Sequence, residues 1–333
     1  MLEPLILPAQ QRDILALSLN PCIDVTIELR AFLRGETNQY EQLRRDIGGK
    51  GYNVAKAIIG LGGRCSLFGL NYTGSGSGLR QAARAAGLEA RFMDVPGLLR
   101  MNIKLHERSG QTTVMTEFNH PGTPVDPSTA ERVLNSLRPL LRRRLVLVMS
   151  GSLPPGLNRF TYREIAGQVR AKDGIVVLDS SGEPLMQALA ARCDIMKPNR
   201  KELREVTGMP CDSLEGVTQA AKSLCRLGAS LVLASLGEEG AVLTDGQDAW
   251  YAPNPRGVNA LSLQGAGDAM TAVLAMAAAA CPLGLTELGP LPALLQLAMA
   301  ASQATIQLPG TTMAGRSETE AWIQRIEVHR LPL

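Results

Sequence analysis

An alternation of short apolar runs with longer segments of helical spacing, beginning near Asp13, constrains this chain more than any other feature. The runs at 14–19, 65–70, 145–150, 175–179, 195–197 and 230–235 have the length and Val/Ile/Leu content of strands. Between them, segments 51–61, 77–86, 130–141, 160–171, 200–207 and 214–227 repeat apolar residues at helical spacing. Continuous apolar strands separated by helices predict an α/β fold, a parallel sheet covered on both faces. Ligands of such sheets collect at the carboxyl ends of the strands, and the unusual residues of this sequence cluster at the ends of these runs.

Two stretches break the alternation. Segments 26–46 and 100–118 are polar and strand-like with no helix after them, and the second holds a turn at Arg108-Ser109-Gly110-Gln111 between two alternating runs. Strands without covering helices should project from the main sheet, and they are expected to form a small lid. The chain reads as a single domain over 1–333, with lid strands from about 20–46 and 98–122; neither an internal repeat nor a low-complexity linker divides it.

Composition narrows the function classes. With 45% hydrophobic but only 4% aromatic residues, the core must be aliphatic. A net charge of +3 is too mild to suggest nucleic acid, and the run Arg142-Arg143-Arg144 reads as a solvated helix end without aromatic residues for base stacking. The 6 cysteines include no C-x-x-C pair and suit a reducing cytosol, and the 3 histidines are too scattered for a metal cluster. The start Met1-Leu2-Glu3-Pro4 lacks the basic region of a secretory signal. The most apolar segment, 269–281, is too short to cross a bilayer and reads as a buried helix. A soluble, cytoplasmic protein is expected.

Gly265-Ala266-Gly267-Asp268 opens that apolar helix. Glycines allow close backbone approach, and a helix start presents unpaired N–H groups with partial positive charge, which together make an anion site. An acidic residue there is ordinarily a plain cap; beside a phosphate it can also accept the proton of an attacking hydroxyl. Gly48-Gly49-Lys50-Gly51, followed by Asn53, lacks the spacing of a Walker A loop. It still lets backbone amides and one lysine approach a ligand's oxygens, although a simple loop turn uses the same residues. Lys197-Pro198-Asn199 ends a strand and precedes Glu202 on a helix, a group able to order phosphates and a hydrated magnesium. Ser235-Leu236-Gly237-Glu238-Glu239-Gly240 is a further strand-to-turn segment, with the pattern of an ordinary hairpin turn. Ser150-Gly151-Ser152-Leu153-Pro154-Pro155-Gly156 ends a strand in small residues, as the wall of a site would.

Taken in order, these pieces resemble the PfkB, or ribokinase-like, family of carbohydrate kinases. The resemblance rests on Asn20-Pro21-Cys22-Ile23-Asp24, Gly48 to Ala55, Ser150 to Gly156, Leu178 to Glu183, Lys197 to Glu202, Ser235 to Gly240 and Gly265 to Asp268, and spans roughly residues 13 to 310. Arg100-x-Asn102-x-Lys104 and the N-P-C-I-D start are similar to the 1-phosphofructokinase and tagatose-6-phosphate kinase branch, and Glu117 to Gly122 to its 1-phosphofructokinase form. The chain departs from the family at Ala269 (usually Ser), Val273 (often Gly), Gln264 (usually Val or Thr) and Gln39 (often Arg in this branch).

The resemblance implies a three-layer α/β/α fold with a β-sheet lid, and ATP-dependent phosphorylation of a phosphorylated ketohexose assisted by Mg²⁺. Fructose 1-phosphate is the expected acceptor, with tagatose-6-phosphate kinase, 6-phosphofructokinase and a catalytically weak sugar-phosphate sensor as alternatives. Asp268 would be the base, with Gly265, Ala266 and Gly267 stabilising the transferring group. Asp24, Asn53, Gly48, Gly49 and Ser152 would lie along the sugar, and Lys50, Arg100 and Lys104, with Asn102 between them, would take its phosphate. Lys197, Asn199 and Glu202 would organise the phosphates of ATP and the metal, Asn199 and Glu202 through water, while Ser235, Leu236, Gly237, Glu238, Glu239 and Gly240 border the nucleotide. No nucleic acid or membrane partner is expected, and the free edges of the lid suggest a homodimer.

Overall fold

The computed structural model describes residues 9–109, 112–258 and 260–332. Residues 1–4 of the expected chain start and Gly110-Gln111 of the expected turn lie outside them. The large sheet contains β1 (Ile14–Ser18), and the small sheet begins three residues later with β2 (Cys22–Leu29) and β3 (Gln42–Gly48). Helix α1 (Lys50–Gly60) leads to β4 (Ser66–Tyr72), α2 (Gly78–Ala85) and β5 (Glu89–Val95). The small sheet is completed by β6 (Arg100–Ser109) and β7 (Thr112–Phe118). Next come α3 (Thr129–Leu137), β8 (Val146–Ser150), α4 (Thr161–Arg170), β9 (Ile175–Asp179), α5 (Gly182–Ala190) and β10 (Ile195–Met196). They are followed by α6 (Arg200–Thr207), α7 (Leu214–Arg226), β11 (Leu231–Ser235), β12 (Ala241–Thr244) and β13 (Ala249–Ala252). The chain ends with α8 (Ala266–Ala279), α9 (Leu291–Ile306), α10 (Arg316–Ile323) and β14 (His329–Arg330).

The large sheet has ten strands in the order β14-β13-β12-β11-β10-β9-β8-β1-β4-β5. From β11 to β5 every pairing is parallel, and β1, β8 and β9 are buried at every position. The chain runs outward from β1 through β4 to β5, then returns to β8 on the other side of β1. This reversal brings the carboxyl ends of β1, β8 and β9 together at a switch point, the usual place for a ligand crevice. The small sheet, in the order β3-β2-β6-β7, is anchored there because only Leu19-Asn20-Pro21 separates β1 from β2. Helix α8 is apolar on nearly every side and packs against α1 and α9, so its first turn is fixed deep in the molecule. Among the described residues no helix is long and apolar enough to cross a membrane.

Several elements differ from the sequence expectation. The strand-like stretch 26–46 is two strands, with β2 starting at Cys22 and residues 30–41 in no strand. The turn after β11 leads into antiparallel β12, so the Ser235–Gly240 segment does connect a hairpin, and β13 and β14 extend the sheet in the same antiparallel sense. β5, α5, α9, α10 and β12–β14 were not marked by pattern: β5 carries polar residues on an edge strand, α9 is buried nearly all round from Leu294 on and shows no polar face, and the others are short.

Candidate active site

A cavity of about 390 Å³ opens where the small sheet stands over the carboxyl ends of β1 and β8. Its wall joins Asp24 and the Arg100, Asn102 and Lys104 face of β6 to Gly49, Lys50 and Asn53 at the start of α1, to Ser152 after β8, and to Gly265 and Asp268 at the start of α8. Arg100, Asn102 and Lys104 share a face because side chains alternate along a strand; Met101, between the first two, is exposed on the other side.

Helix α8 is entered through Gly265 in the left-handed conformation (φ 80°), which glycine adopts at no steric penalty. Its first intrahelical bond is Ala269 N–H to the Gly265 carbonyl (2.8 Å), so the amides of Ala266, Gly267 and Asp268 have no acceptor within the helix. They form the positive end of the helix dipole, an anion site beside the cavity. Asp268 is only 6% exposed, and Asn53 Nδ2 donates to its Oδ2 at 2.9 Å. Burial, followed by the charge of Asp179, pushes its carboxyl up to about 6, against the pull of Lys50, the Asn53 hydrogen bond and Lys197. A base with that value is ionised at neutral pH yet basic enough to draw a hydroxyl proton in the transition state. The sign is set by the raised value: activity should be full above pH 7 and fall as pH drops through about 6. A pH–rate profile for kcat/KM checks this, and a flat profile down to pH 5 would remove Asp268 from the role.

Asp179, at the end of β9, is the residue whose part the sequence reading missed. Its buried carboxylate takes Lys50 Nζ at 2.9 Å, Lys197 Nζ at 3.3 Å and the Thr271 hydroxyl at 3.1 Å. Burial would raise its pKa, but Lys197 and Lys50 together hold it down at about 2. Lys50 is raised above its usual value because Asp179, Asp268 and Glu202 outweigh the effect of burial. Lys50 was expected to meet the substrate phosphate directly; here its ammonium is ion-paired to Asp179, with 42% of the side chain open toward the cavity. The available signal was an Asp closing an otherwise apolar strand.

On the sugar side, Gly48 lies so close to Asp24 that a Cβ there would meet Oδ2 at 2.0 Å. Asn102 donates to Asp24 Oδ1 (3.1 Å) and accepts from the His120 N–H (3.2 Å), so both ends of its amide are committed to holding the site in shape. Arg100 donates to the carbonyls of Asn20 (3.1 Å) and His120 (2.9 Å), tying the turn before β2 to the segment after β7. Lys104 is buried with its Nζ 3.8 Å from Asp24 Oδ1. Ser152 Oγ accepts from Asn20 Nδ2 (3.0 Å). Glu117 at the end of β7, Asn119 just after it, Gln264 before the anion loop and Thr311 from the loop after α9 also line the cavity.

The residues expected at the nucleotide lie beside this cavity rather than in its wall. Lys197 Nζ sits over the anion loop, 3.0 Å from where a Cβ of Gly267 would stand. Asn199 caps α6 in a reciprocal box: its side chain accepts from the Glu202 N–H (2.9 Å), and Glu202 Oε2 accepts from the Asn199 N–H (2.8 Å). Asn199 bridges to Ser235, which brings Ser235–Gly240 alongside. In that turn Leu236 is buried, the Gly237 carbonyl accepts from Asn254 (3.0 Å) and Glu239 pairs with Arg200 (2.7 Å). Among the described residues no group of three or more His, Cys, Asp or Glu could hold a metal ion. Glu202 uses one carboxylate oxygen in the capping box and keeps the other outside it, an oxygen donor of the kind that a hydrated magnesium takes.

Comparison with known proteins identifies the family. The model of the pfkB family carbohydrate kinases matches residues 17–317. The 1-phosphofructokinase of Xanthomonas campestris is 37% identical over 267 residues, 79% of this chain and 83% of that protein. That of Rhodobacter capsulatus is 37% identical over 266 residues, 80% and 83% of the two chains. The crystal structure of phosphofructokinase-2 from Escherichia coli in complex with potassium superposes with a TM-score of 0.83 at 25% identity, covering 94% of this chain and 98% of that one. The family match runs from β1 into α10 and so takes in both the anion loop of α8 and the small sheet above it: this chain belongs to the pfkB family of carbohydrate kinases.

Proposed function

We propose that the protein transfers the γ-phosphoryl group of ATP to a hydroxyl of fructose 1-phosphate, giving fructose 1,6-bisphosphate and ADP. One observation carries this: a buried carboxylate raised to about 6, Asp268, stands at the unpaired amides of a helix start and shares one cavity with the cationic face of β6. Asp268 takes the proton of the acceptor hydroxyl as that oxygen bonds to the γ-phosphorus. The bond from phosphorus to the β–γ bridging oxygen breaks, and ADP leaves with the electron pair. The Ala266 and Gly267 amides, with Lys197 over the loop, offset the charge that spreads over the transferring group.

Arg100 and Lys104 hold the phosphate already on the sugar, aided by the open side of Lys50, while Asp24 and Asn53 hold its hydroxyls. Lys104 is the strongest element for an anion, since it is buried and lies at the long limit of its contact with Asp24. The nucleotide lies along Lys197, Asn199, Glu202 and the Ser235–Gly240 turn. Mg²⁺ arrives with ATP and supplies charge neutralisation that few protein groups here can replace. A coupled assay of ADP release should therefore show turnover with fructose 1-phosphate that stops in excess chelator and returns with added magnesium. Full activity in chelator would contradict it.

A second copy of the chain fits the small sheet. Its outer side exposes Met101 and Phe118, and its edge strands β3 and β7 are free to pair. A cytoplasmic setting is proposed with it, in line with six cysteines that include no C-x-x-C pair.

A further inference from the structure

Gln264 stands immediately before the anion loop and lines the cavity with Asp268, Asn53 and Thr311. It is 9% exposed, and neither Nε2 nor Oε1 of its side chain has a hydrogen-bond partner among the described residues. Its backbone is well fixed: Gln264 N–H donates to Ser262 Oγ (3.2 Å), and the Leu261 and Ser262 amides both donate to the Ile306 carbonyl (2.8 and 3.1 Å). Gln264 thus lines the cavity with a buried amide that no group among the described residues satisfies. A buried polar group without a partner destabilises a fold by about 1–3 kcal/mol, and such groups call for an explanation.

We propose that Gln264 is a specificity-determining residue whose amide binds adjacent hydroxyls of the acceptor sugar. The chemistry selects the ligand. Oε1 needs a donor and Nε2 an acceptor. A phosphate at neutral pH offers acceptors almost alone and would leave Oε1 unmatched, whereas neighbouring sugar hydroxyls satisfy both ends, one donating and one accepting. Gln264 lines the same cavity as the base and directly precedes the anion loop, so the hydroxyls it reads are taken to be those near the one that is phosphorylated. Val, usual here in the family, can make neither bond, and Thr, the other usual residue, offers donor and acceptor only from one oxygen on a shorter side chain rather than from the two ends of an amide.

The proposal rests on the sugar-phosphate kinase reading above, and the test separates the two. Gln264→Met, of similar length without the amide, and Gln264→Val are compared with the wild type for KM of fructose 1-phosphate, KM of ATP and melting temperature without ligand. The expected result is a rise in sugar-phosphate KM of about tenfold, the order of one lost buried hydrogen-bond pair. The KM of ATP should stay within about twofold, and the ligand-free Gln264→Met protein should melt at or above the wild-type temperature, because an orphaned group has gone. A monodeoxy fructose 1-phosphate lacking the bonded hydroxyl should bind wild type and Gln264→Met alike. An unchanged sugar-phosphate KM, a rise confined to ATP, or a lower melting temperature of Gln264→Met would each overturn the proposal. If wild type fails to turn over fructose 1-phosphate, the substrate reading falls, and the melting comparison still decides whether the amide is orphaned in the free protein.

Discussion

Asp268→Asn is expected to lower turnover by about two orders of magnitude or more, the scale of a lost general base, without loss of fold. Asparagine keeps an oxygen for the Asn53 Nδ2–H bond and nearly the same volume, so only the charge and the basicity disappear. Stability should move in the opposite direction to activity. The carboxyl is raised from 3.8 to about 6 in the folded protein, so its protonated form is the one the fold prefers. The stability it contributes is fully present below pH 3.8 and is lost as pH rises through about 6. Above that pH the neutral asparagine should melt higher than the wild type, and the gap should close in acid. Purified Asp268→Asn with near-normal turnover, or one that melts well below wild type at pH 8, would contradict the role of Asp268.

Asp179→Ala carries the largest expected effect on stability. It removes the counter-ion shared by Lys50 and Lys197, leaving two ammonium groups facing each other at the carboxyl end of β9. Removing one partner of a buried pair costs about 3–5 kcal/mol. Most of this should come from Lys197, whose side chain is 5% exposed, because Lys50 opens to the cavity and water can screen it. Asp179 is depressed to about 2, so the stability it contributes is fully present above pH 3.8 and is lost as pH falls from there through about 2. Urea denaturation at pH 7 should show a midpoint well below that of wild type. A loss under about 1 kcal/mol, the range of surface pairs, would mean that the lysines do not depend on this carboxylate.

The parallel half of the fold was legible because its strands are buried on both faces and leave unbroken apolar runs; Ile175–Asp179 was read to the residue. The antiparallel half was not. Ala241–Thr244 and Ala249–Ala252 are four residues each, too short for a pattern to outweigh chance, and their partner His329–Arg330 is exposed and polar. In the site, legibility followed the glycines. Gly48 and Gly265 are required by close approach and by a positive φ, so they mark their loops in the sequence itself. Asp179 shows locally only as an Asp closing an apolar strand, and Gln264 only as a departure beside the anion loop. Their significance comes from what three-dimensional packing brings to them, two lysines in one case and no partner among the described residues in the other.

The most direct measurement of the central claim is a set of initial rates with ATP and magnesium for fructose 1-phosphate, fructose 6-phosphate and tagatose 6-phosphate, with the product identified by phosphorus NMR. Asp268 beside the anion loop, sharing a cavity with Arg100 and Lys104, leads us to expect the highest kcat/KM for fructose 1-phosphate, with fructose 1,6-bisphosphate as its product. A higher kcat/KM for either of the other sugar phosphates, or ATP hydrolysis without any phosphorylated sugar product, would contradict it.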